Sequence, residues 1–438
     1  MSNRCLLGFI FITCLSLFAC QLSQPETTSD LSISTAQNTQ ISPPETTATI
    51  EDPIPTISPI SPEITVPPAN LIPPTAGFSS SLTFEIRQWH NLQIPRTRHT
   101  ATLLSNGNIL LVGGSLEPDD FVADEELFNP VTGLSSWAVP LHTLRHGHTA
   151  TLLPDGRVLV IGGYSLPQQW LSDAEIYVPM SDTWIIAPPL YSHGTNHTAT
   201  VMKDGRVIVV GGCTGGGVCS ELVEIFNPTT DTWVEVAPLE SARHGHTVEI
   251  LKDGRVLVIG GSQANGEAPI GGDSTLYDPQ TNTWTATDPM NSPRHSAKST
   301  LLPNGQVLVA GGILLEDLSN QTLTTSAEIF DPTSNTWKPV ANLAEKRYAF
   351  VLLSVPNGLV LAIGGARDWE CCWNDNSFVR QIEAYDSTTD QWKIIGELSQ
   401  PSAYATGILL PNGRVWIAGG QYGQSGATFP PETWLVIP

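Results

Sequence analysis

Two hydrophobic patterns follow one another along most of the chain, with a tight turn between them. In "HTATLLPDGRVLVIGG", His148 to Gly163, polar and apolar residues alternate before the turn, and an unbroken apolar run follows it. Alternation predicts a strand with one buried face, whereas the unbroken run predicts a strand covered on both faces. Asp155-Gly156 tolerates positive φ at both turn centres. The segment therefore predicts an antiparallel hairpin.

This hairpin pattern recurs seven times. The turns are Asn106-Gly107, Asp155-Gly156, Asp204-Gly205, Asp253-Gly254, Asn304-Gly305, Asn357-Gly358 and Asn412-Gly413. Each second strand ends in a glycine pair: Gly113-Gly114, Gly162-Gly163, Gly211-Gly212, Gly260-Gly261, Gly311-Gly312, Gly364-Gly365 and Gly419-Gly420. The first four pairs begin 49 residues apart. Such a regular period indicates one structural unit repeated along the chain.

Two further strands are predicted in each unit, after a loop that differs from unit to unit. The third strand ends in an aromatic residue: Phe128, Tyr177, Phe226, Tyr277, Phe330 or Tyr385. A Thr-rich turn and a tryptophan follow: Trp137, Trp184, Trp233, Trp284, Trp337 or Trp392. Each unit of about fifty residues therefore predicts four strands, which is the spacing of kelch repeats.

The glycine pair, the aromatic residue and the tryptophan, in this order, resemble the kelch family over residues 81–438. The resemblance implies an all-β fold, a seven-bladed β-propeller with four antiparallel strands in each blade. The repeats also resemble the central domain of galactose oxidase, which is a kelch propeller of the same size.

The seventh unit lacks its fourth strand. Trp434 stands fourteen residues after Gly420, as Tyr177 stands fourteen after Gly163, so Trp434 occupies the third-strand position and the sequence then ends. The segment "FEIRQWHNLQIP", Phe84 to Pro95, resembles the fourth-strand phrase "TWVEVAPL" and supplies Trp89. We expect this N-terminal strand to complete the last blade, which leaves no open sheet edge where the ring closes.

The first residues have the features of an export signal. Arg4 is the only charge before an apolar run from Leu6 to Ala19, which is too short for a stable transmembrane helix. The run ends in "LFAC", which resembles a lipoprotein lipobox. The resemblance implies a signal peptide over residues 1–19 and a lipid on Cys20, with location on the outer face of a bacterial membrane. The alternative is a secreted protein cut at an ordinary signal site.

Composition separates the next segment from the repeats. Residues 20–80 are rich in Pro, Ser and Thr without helix or strand period, which predicts a disordered tether. The whole chain has 42 acidic and 20 basic residues, a formal net charge of −22. Such a surface repels phosphate backbones and argues against nucleic acid as a partner.

Cationic and aromatic residues precede the innermost strands, at the face that holds the binding or active site in many kelch relatives. We take as ligand-binding candidates Arg96, Arg98, Arg145, Arg243, Arg294 and Arg347, with His146, His244, His295, Tyr348 and Tyr404. Clustered cations in an acidic protein predict a local funnel for anions. The alternative is structural, since arginine at this point of a kelch repeat can bond carbonyl groups of the next blade.

Four histidines, His99, His148, His197 and His246, occupy one equivalent position in consecutive blades. Imidazole rings suggest a metal site. Equivalent positions in a ring point alike rather than converge, so we favour a repeated hydrogen bond and predict neither a metal nor another cofactor.

The variable loops add aromatic residues and cysteines. Trp170, Trp369, Trp373 and Tyr422 lie outside the repeat pattern and could stack on a sugar ring, although a tryptophan can equally fold a loop back on itself. In an exported protein we expect Cys213 and Cys219 to form a disulfide. Cys371 and Cys372 remain open between a vicinal bridge, free thiols and bonds to other partners, and we disfavour a metal site on these four cysteines.

We predict a non-catalytic, surface-displayed module that binds glycan or protein at this face and the membrane through lipid at Cys20. The alternatives are a carbohydrate-active enzyme of galactose oxidase type and a kelch sugar isomerase. The resemblance to galactose oxidase implies copper held by two Tyr and two His, and no histidine follows His295. No nucleophile–base pair stands out, and fold alone does not decide function.

Overall fold

The structure is a computed structural model that describes residues 84–117, 120–166, 169–191, 194–263, 274–317, 320–368, 374, 376–423 and 428–437. The predicted signal peptide, Cys20 and the tether lie outside these residues. Within them, no helix is long and apolar enough to cross a membrane.

The described residues form seven four-stranded antiparallel sheets, which we call blades 1 to 7. Blade 1 contains β2 (Thr100–Leu103), β3 (Ile109–Val112), β6 (Glu125–Phe128) and β7 (Ser135–Ala138). Blade 2 contains β8 (Thr149–Leu152), β9 (Val158–Ile161), β12 (Ala174–Val178) and β13 (Thr183–Ala187). Blade 3 contains β14 (Thr198–Val201), β15 (Val207–Val210), β16 (Val223–Asn227) and β17 (Thr232–Glu235). Blade 4 contains β18 (Thr247–Ile250), β19 (Val256–Ile259), β20 (Ser274–Asp278) and β21 (Thr283–Ala286).

The remaining blades follow the same order. Blade 5 contains β23 (Lys298–Leu301), β24 (Val307–Ala310), β27 (Ala327–Asp331) and β28 (Thr336–Val340). Blade 6 contains β29 (Val351–Ser354), β30 (Leu359–Ile363), β31 (Gln381–Asp386) and β32 (Gln391–Glu397). Blade 7 contains β33 (Thr406–Leu409), β34 (Val415–Ala418), β35 (Glu432–Ile437) and the N-terminal strand β1 (Glu85–Asn91).

Short ribbons lie outside the blades. They comprise β4 (Ser115–Glu117) with β5 (Asp120–Phe121), β10 (Tyr164–Ser165) with β11 (Gln169–Trp170), and β22 (Arg294–His295) with β25 (Ile313–Asp317) and β26 (Asn320–Leu323). One turn of 3-10 helix spans Gly215–Gly217. Apart from β22, which precedes the innermost strand of blade 5, these ribbon strands lie in the loops that follow the glycine pairs.

The hydrophobic pattern explains where the core lies. The second strand of each blade, such as β9 or β24, is buried along its whole length because neighbouring blades cover both of its faces. Leu159 and Ile161 pack against Val207 and Val209 of the next blade, and the same arrangement recurs around the ring. The continuous apolar runs therefore form the layers between blades, as the sequence predicts.

The ring is closed by the N-terminal strand. β1 pairs antiparallel with β35, with Glu85 opposite Ile437 and Gln88 opposite Trp434. The innermost strands touch their neighbours in cyclic order, and β33 of blade 7 contacts β2 of blade 1. The prediction that the N-terminal strand completes the last blade is confirmed.

The repeated tryptophans join neighbouring blades at the outer strands. Trp184 stacks on Tyr177 with 5.1 Å between ring centroids, and its Nε1 donates to the carbonyl of Val139, just after the fourth strand of blade 1. Trp137 departs from this pattern. It stands nine positions after Phe128, whereas each of the other repeat tryptophans stands seven positions after its aromatic residue. It pairs with Glu126 in the sheet and is 49% exposed.

Candidate functional site

We call the end of the ring where the innermost strands begin the mouth face; the Asn-Gly and Asp-Gly turns lie at the other end. The glycine pairs reach the mouth face at the end of each second strand. Gly114 has φ +99°, and a Cβ on it would lie 2.8 Å from the carbonyl oxygen of Thr97. Glycine is required there because the entry segment of the innermost strand passes directly against its backbone.

Five of the six candidate arginines are buried beneath this face. Arg96, Arg145, Arg243, Arg294 and Arg347 are 0–3% exposed. Each donates to the carbonyl of the first glycine in the pair of its own repeat, for example Arg145 Nη1 to Gly162 O at 2.9 Å. In blade 7, Ser402 replaces the arginine and its Oγ donates to Gly419 O at 2.6 Å.

Four of these arginines also pair with a buried glutamate on the third strand. The pairs are Arg96–Glu126, Arg145–Glu175, Arg294–Glu328 and Arg347–Glu383. The glutamates in turn accept backbone N–H groups of the segment that enters the blade, as Glu328 does from Asn291 at 2.8 Å and Ser292 at 2.9 Å. Each pair therefore fixes the path of the chain between two blades.

This burial corrects the expectation that the five arginines line a ligand site and create an anion funnel. Their guanidinium groups face the protein interior, and the carboxylates offset the charge of four of them. The alternative, that these arginines are structural and bond backbone carbonyl groups, agrees with the structure. The carbonyl that accepts the bond, however, belongs to the same repeat and not to the next blade. The recurring Glu-x-aromatic phrase of the third strand is a sequence signal for these pairs that our sequence reasoning missed.

The four equivalent histidines form inter-blade hydrogen bonds. Thr100 Oγ1 and His148 Nε2 are 2.8 Å apart, and Thr149 and His197 are 2.9 Å apart. The same bond joins Thr198 to His246 at 3.0 Å and Thr406 to His99 at 3.1 Å. Burial, followed by the nearby Arg96 charge, lowers the pKa of His99 to about 3. Burial also lowers the pKa of His148 and of His246, and all four imidazoles link neighbouring blades.

A ring of backbone groups surrounds the mouth. Two residues after each arginine position, the chain adopts positive φ of 51–64°, at Arg98, Gly147, Asn196, Gly245, Ser296, Ala349 and Tyr404. We call these seven residues the mouth ring; all are partly exposed. Hydrogen bonds run from one member to the next, as from Gly147 N to Arg98 O at 3.0 Å and from Ser296 N to Gly245 O at 2.7 Å.

Two side chains of the mouth ring meet where the ring closes. The guanidinium carbon of Arg98, from blade 1, lies 4.3 Å from the centroid of the Tyr404 ring, from blade 7. Tyr404 also meets the buried Tyr348 edge to face at 6.3 Å. Arg98 is the one sequence-predicted arginine that is not buried, and its φ of +55° is costly for a residue with a Cβ.

Four aromatic residues of blades 1 and 2 form a continuous group on the mouth face, which we call the aromatic cluster. Phe121 stacks on His146 at 5.1 Å and on Tyr164 at 6.2 Å. Tyr164 in turn meets Trp170 edge to face at 5.3 Å. All four side chains are partly exposed. Burial, followed by the Arg98 charge, lowers the pKa of His146 to about 3, so its ring is neutral.

The remaining predicted residues divide between the face and the interior. Trp170 lies against the backbone of Gly215 in the next loop, so it also supports its neighbour. His244 is partly exposed and His295 is buried, with 6.3 Å between their ring centroids. Cys213 and Cys219 are joined by a disulfide. Trp369, Trp373, Cys371 and Cys372 lie outside the described residues.

Comparison with known proteins identifies the repeats. The model of the KLHDC2/KLHL20/DRC7 Kelch-repeats domain matches residues 98–312, and the Kelch motif model matches residues 294–344. Kelch-like protein 36 of Bos taurus is 28% identical over 155 residues, covering 35% of this chain and 24% of the relative. The F-box/kelch-repeat protein At1g67480 of Arabidopsis thaliana is 28% identical over 137 residues, covering 30% of this chain and 33% of the relative. The chain thus spans a third or less of the length of these curated relatives.

Solved structures share the fold at low identity. A fungal alcohol oxidase of the AA5 family, in complex with copper, has a TM-score of 0.63 and 18% identity, covering 81% of this chain and 76% of the oxidase. The structure of YjhT has a TM-score of 0.53 and 15% identity, covering 70% of this chain and 99% of YjhT. With the repeats, the four-stranded sheets and the closed ring, these matches show that the chain contains kelch repeats and has a propeller fold.

Proposed function

We propose that this protein is a non-catalytic binding module whose mouth face binds glycan, displayed outside the cell on a lipid anchor at Cys20. The observation that carries the proposal is the aromatic cluster, because Phe121, His146, Tyr164 and Trp170 form one partly exposed aromatic surface beside the mouth ring. None of these four residues belongs to the buried clusters that fill the layers between blades.

The chemistry of the cluster suits a sugar. Aromatic faces pack against the C–H face of a pyranose ring, and polar groups nearby fix its hydroxyls. The mouth ring supplies such groups at Arg98, Asn196 and Ser296, all partly exposed. Backbone strain at these three positions, with φ of 52–58°, is of the kind that persists at binding sites.

The anchor and tether complete the proposal. A lipid at Cys20 would hold the chain at a membrane, and residues 20–80 would span roughly 40 Å as a flexible coil. Radiolabelled palmitate should therefore enter the wild-type protein and not the Cys20→Ser variant. Equal labelling of the two proteins would contradict the anchor and leave the glycan site untouched.

A glycan array followed by calorimetric titration of the best ligand tests the site. We expect Trp170→Ala and Arg98→Ala each to weaken binding at least tenfold. Trp137→Ala is the matched control, because Trp137 is an exposed tryptophan on an outer strand, and it should change binding less than twofold. Trp170→Phe keeps an aromatic face against Gly215 and should retain most of the affinity.

The outcomes separate the alternatives. Unchanged glycan binding by Trp170→Ala and Arg98→Ala would place the site elsewhere and refute the proposal. Binding of a protein but of no glycan would favour the other ligand class that the sequence suggested. Stoichiometric copper together with peroxide release from galactose would replace the binding module with an enzyme of the galactose oxidase type.

A further inference from the structure

A disulfide and a histidine meet at the edge of the mouth face. Cys213 follows the glycine pair of blade 3, Cys219 closes the loop behind it, and His244 enters blade 4. The two Sγ atoms and a ring nitrogen of His244 all lie within 4.8 Å of one another. The sequence suggests the cysteine pair, but only the ring of blades brings His244 to it.

We propose that reduction of the Cys213–Cys219 disulfide turns these three residues into a binding site for a thiophilic d10 cation such as Zn²⁺. Two thiolates and one imidazole are the ligand set that Zn²⁺ takes in sites with an open fourth position. Soft thiolates select Zn²⁺ over Mg²⁺ and Ca²⁺, which prefer oxygen. The fourth position would be open to water or to a ligand at the mouth.

The reaction balances with an external dithiol as reductant. The dithiol passes two electrons and two protons to the S–S bond, which breaks into two thiols while the dithiol becomes a disulfide. Binding of Zn²⁺ then displaces the two thiol protons, and two S–Zn bonds and one N–Zn bond form. The disulfide and the metal are therefore mutually exclusive states of one site.

The surrounding backbone holds all three ligands, because Cys219 pairs with Cys213 in an antiparallel bridge. Cys213 exchanges backbone hydrogen bonds with Thr195 at 3.0 and 2.8 Å, and His244 exchanges two with Ser262 at 3.0 Å. Cys219 lies beyond the Gly215–Gly217 turn and is partly exposed. A tetrahedral Zn²⁺ holds two sulfurs about 3.8 Å apart, a separation that rotation of the two cysteine side chains would supply once the bond opens.

His244 is partly exposed, and the imidazole of a histidine offers one ring nitrogen to a metal. His295 of blade 5 lies beside it, with 6.3 Å between the ring centroids.

Zinc binding to the full chain, with Cys371 and Cys372 changed to serine throughout, tests the inference. After reduction, this chain should bind one more equivalent of Zn²⁺ than its Cys213→Ser/Cys219→Ser variant, and Co²⁺ should give a thiolate-to-cobalt absorption band. The oxidised chain should bind no Zn²⁺ at this site. His244→Ala should weaken binding at least tenfold, whereas His146→Ala, at the equivalent position of blade 2, should not.

Each outcome decides the question. Equal zinc binding by the reduced chain and the double-serine variant would overturn the proposal, as would wild-type affinity in His244→Ala. If the reduced chain loses its fold, Zn²⁺ should restore it, and failure to restore it would also count against the site. The readout uses the metal alone, so it stands or fails independently of glycan binding.

Discussion

Replacement of Arg294 by methionine probes the buried ion pairs that hold the entry segments in place. Arg294 and Glu328 are each 1% exposed, and Nη2 of the arginine lies 3.0 Å from Oε1 of the glutamate. The guanidinium also donates to the carbonyl of Gly311 at 3.2 Å and to that of Ser326 at 2.7 Å. Its Nε donates to the carbonyl of Ser292 at 3.0 Å, so Arg294→Met leaves a buried carboxylate without its cation and removes the donor to three carbonyl groups.

The expected loss is about 3–5 kcal/mol of unfolding free energy, the usual cost of breaking a buried pair by removing one partner. The matched control is Arg206→Met, because Arg206 pairs with Asp204 while the two side chains are 37% and 47% exposed. Exposed pairs contribute about 0–1 kcal/mol. The same chemical change should therefore differ by at least about 2 kcal/mol between the two sites.

Urea unfolding followed by tryptophan fluorescence measures both variants against the wild type. We expect a clear drop in the midpoint for Arg294→Met and almost none for Arg206→Met. If Arg294→Met lost less than about 1 kcal/mol, or if the two variants were equally stable, the arginine would not anchor the blade entry. The arginines would then return as candidates for ligand binding.

Two further comparisons test a hydrogen bond between blades and a close backbone approach within blade 1. Burial lowers the pKa of His99 in the folded chain to about 3, below its value in the unfolded chain. As the pH drops, the unfolded chain therefore takes up the proton first. The free energy of unfolding should fall between about pH 6.5 and pH 3, by up to about 1.4 kcal/mol per pH unit. His99→Phe, the residue found at the equivalent Phe350, should flatten the slope of unfolding free energy against pH; an unchanged slope would show that His99 is not the titrating group. Gly114→Ala should cost at least about 2 kcal/mol more than Gly107→Ala, because a Cβ at Gly114 meets Thr97 O at 2.8 Å whereas Gly107, with φ +84°, has nothing within 4 Å. Equal urea midpoints for the two alanine variants would contradict this close approach.

The fold could be predicted because the repeat makes every local signal recur. The Asn-Gly and Asp-Gly turns, the apolar second strands and the displaced Trp89 each indicate the same four-stranded unit. Pairing of β1 with β35 follows from the physical need to satisfy the open edge of the last blade.

The candidate site was harder to predict because sequence position does not reveal burial. Arg98 and Arg96 are two residues apart, yet one stacks on Tyr404 at the mouth and the other is buried against Glu126. The difference arises from the positive φ of Arg98, which turns its side chain to the surface. A positive φ at this position cannot be predicted from the fact that the residue is an arginine.

Contacts between blades also could not be predicted from the sequence. Phe121, His146 and Tyr164 come from separate loops, and nothing in their spacing indicates stacking. His244 likewise reaches the Cys213–Cys219 pair only because blades 3 and 4 are neighbours in the ring.

Closure of the ring is the central structural claim, and at the proposed glycan site Arg98 meets Tyr404 across its junction. Hydrogen exchange of the β35 amides in a chain lacking residues 85–91 tests it most directly. Leu435 pairs with Arg87 of β1. We predict that the amides of Leu435 and of the neighbouring β35 residues lose protection from exchange, and that the chain unfolds at a lower urea concentration. Unchanged protection of β35 with wild-type stability would contradict closure of the ring by its N-terminal strand.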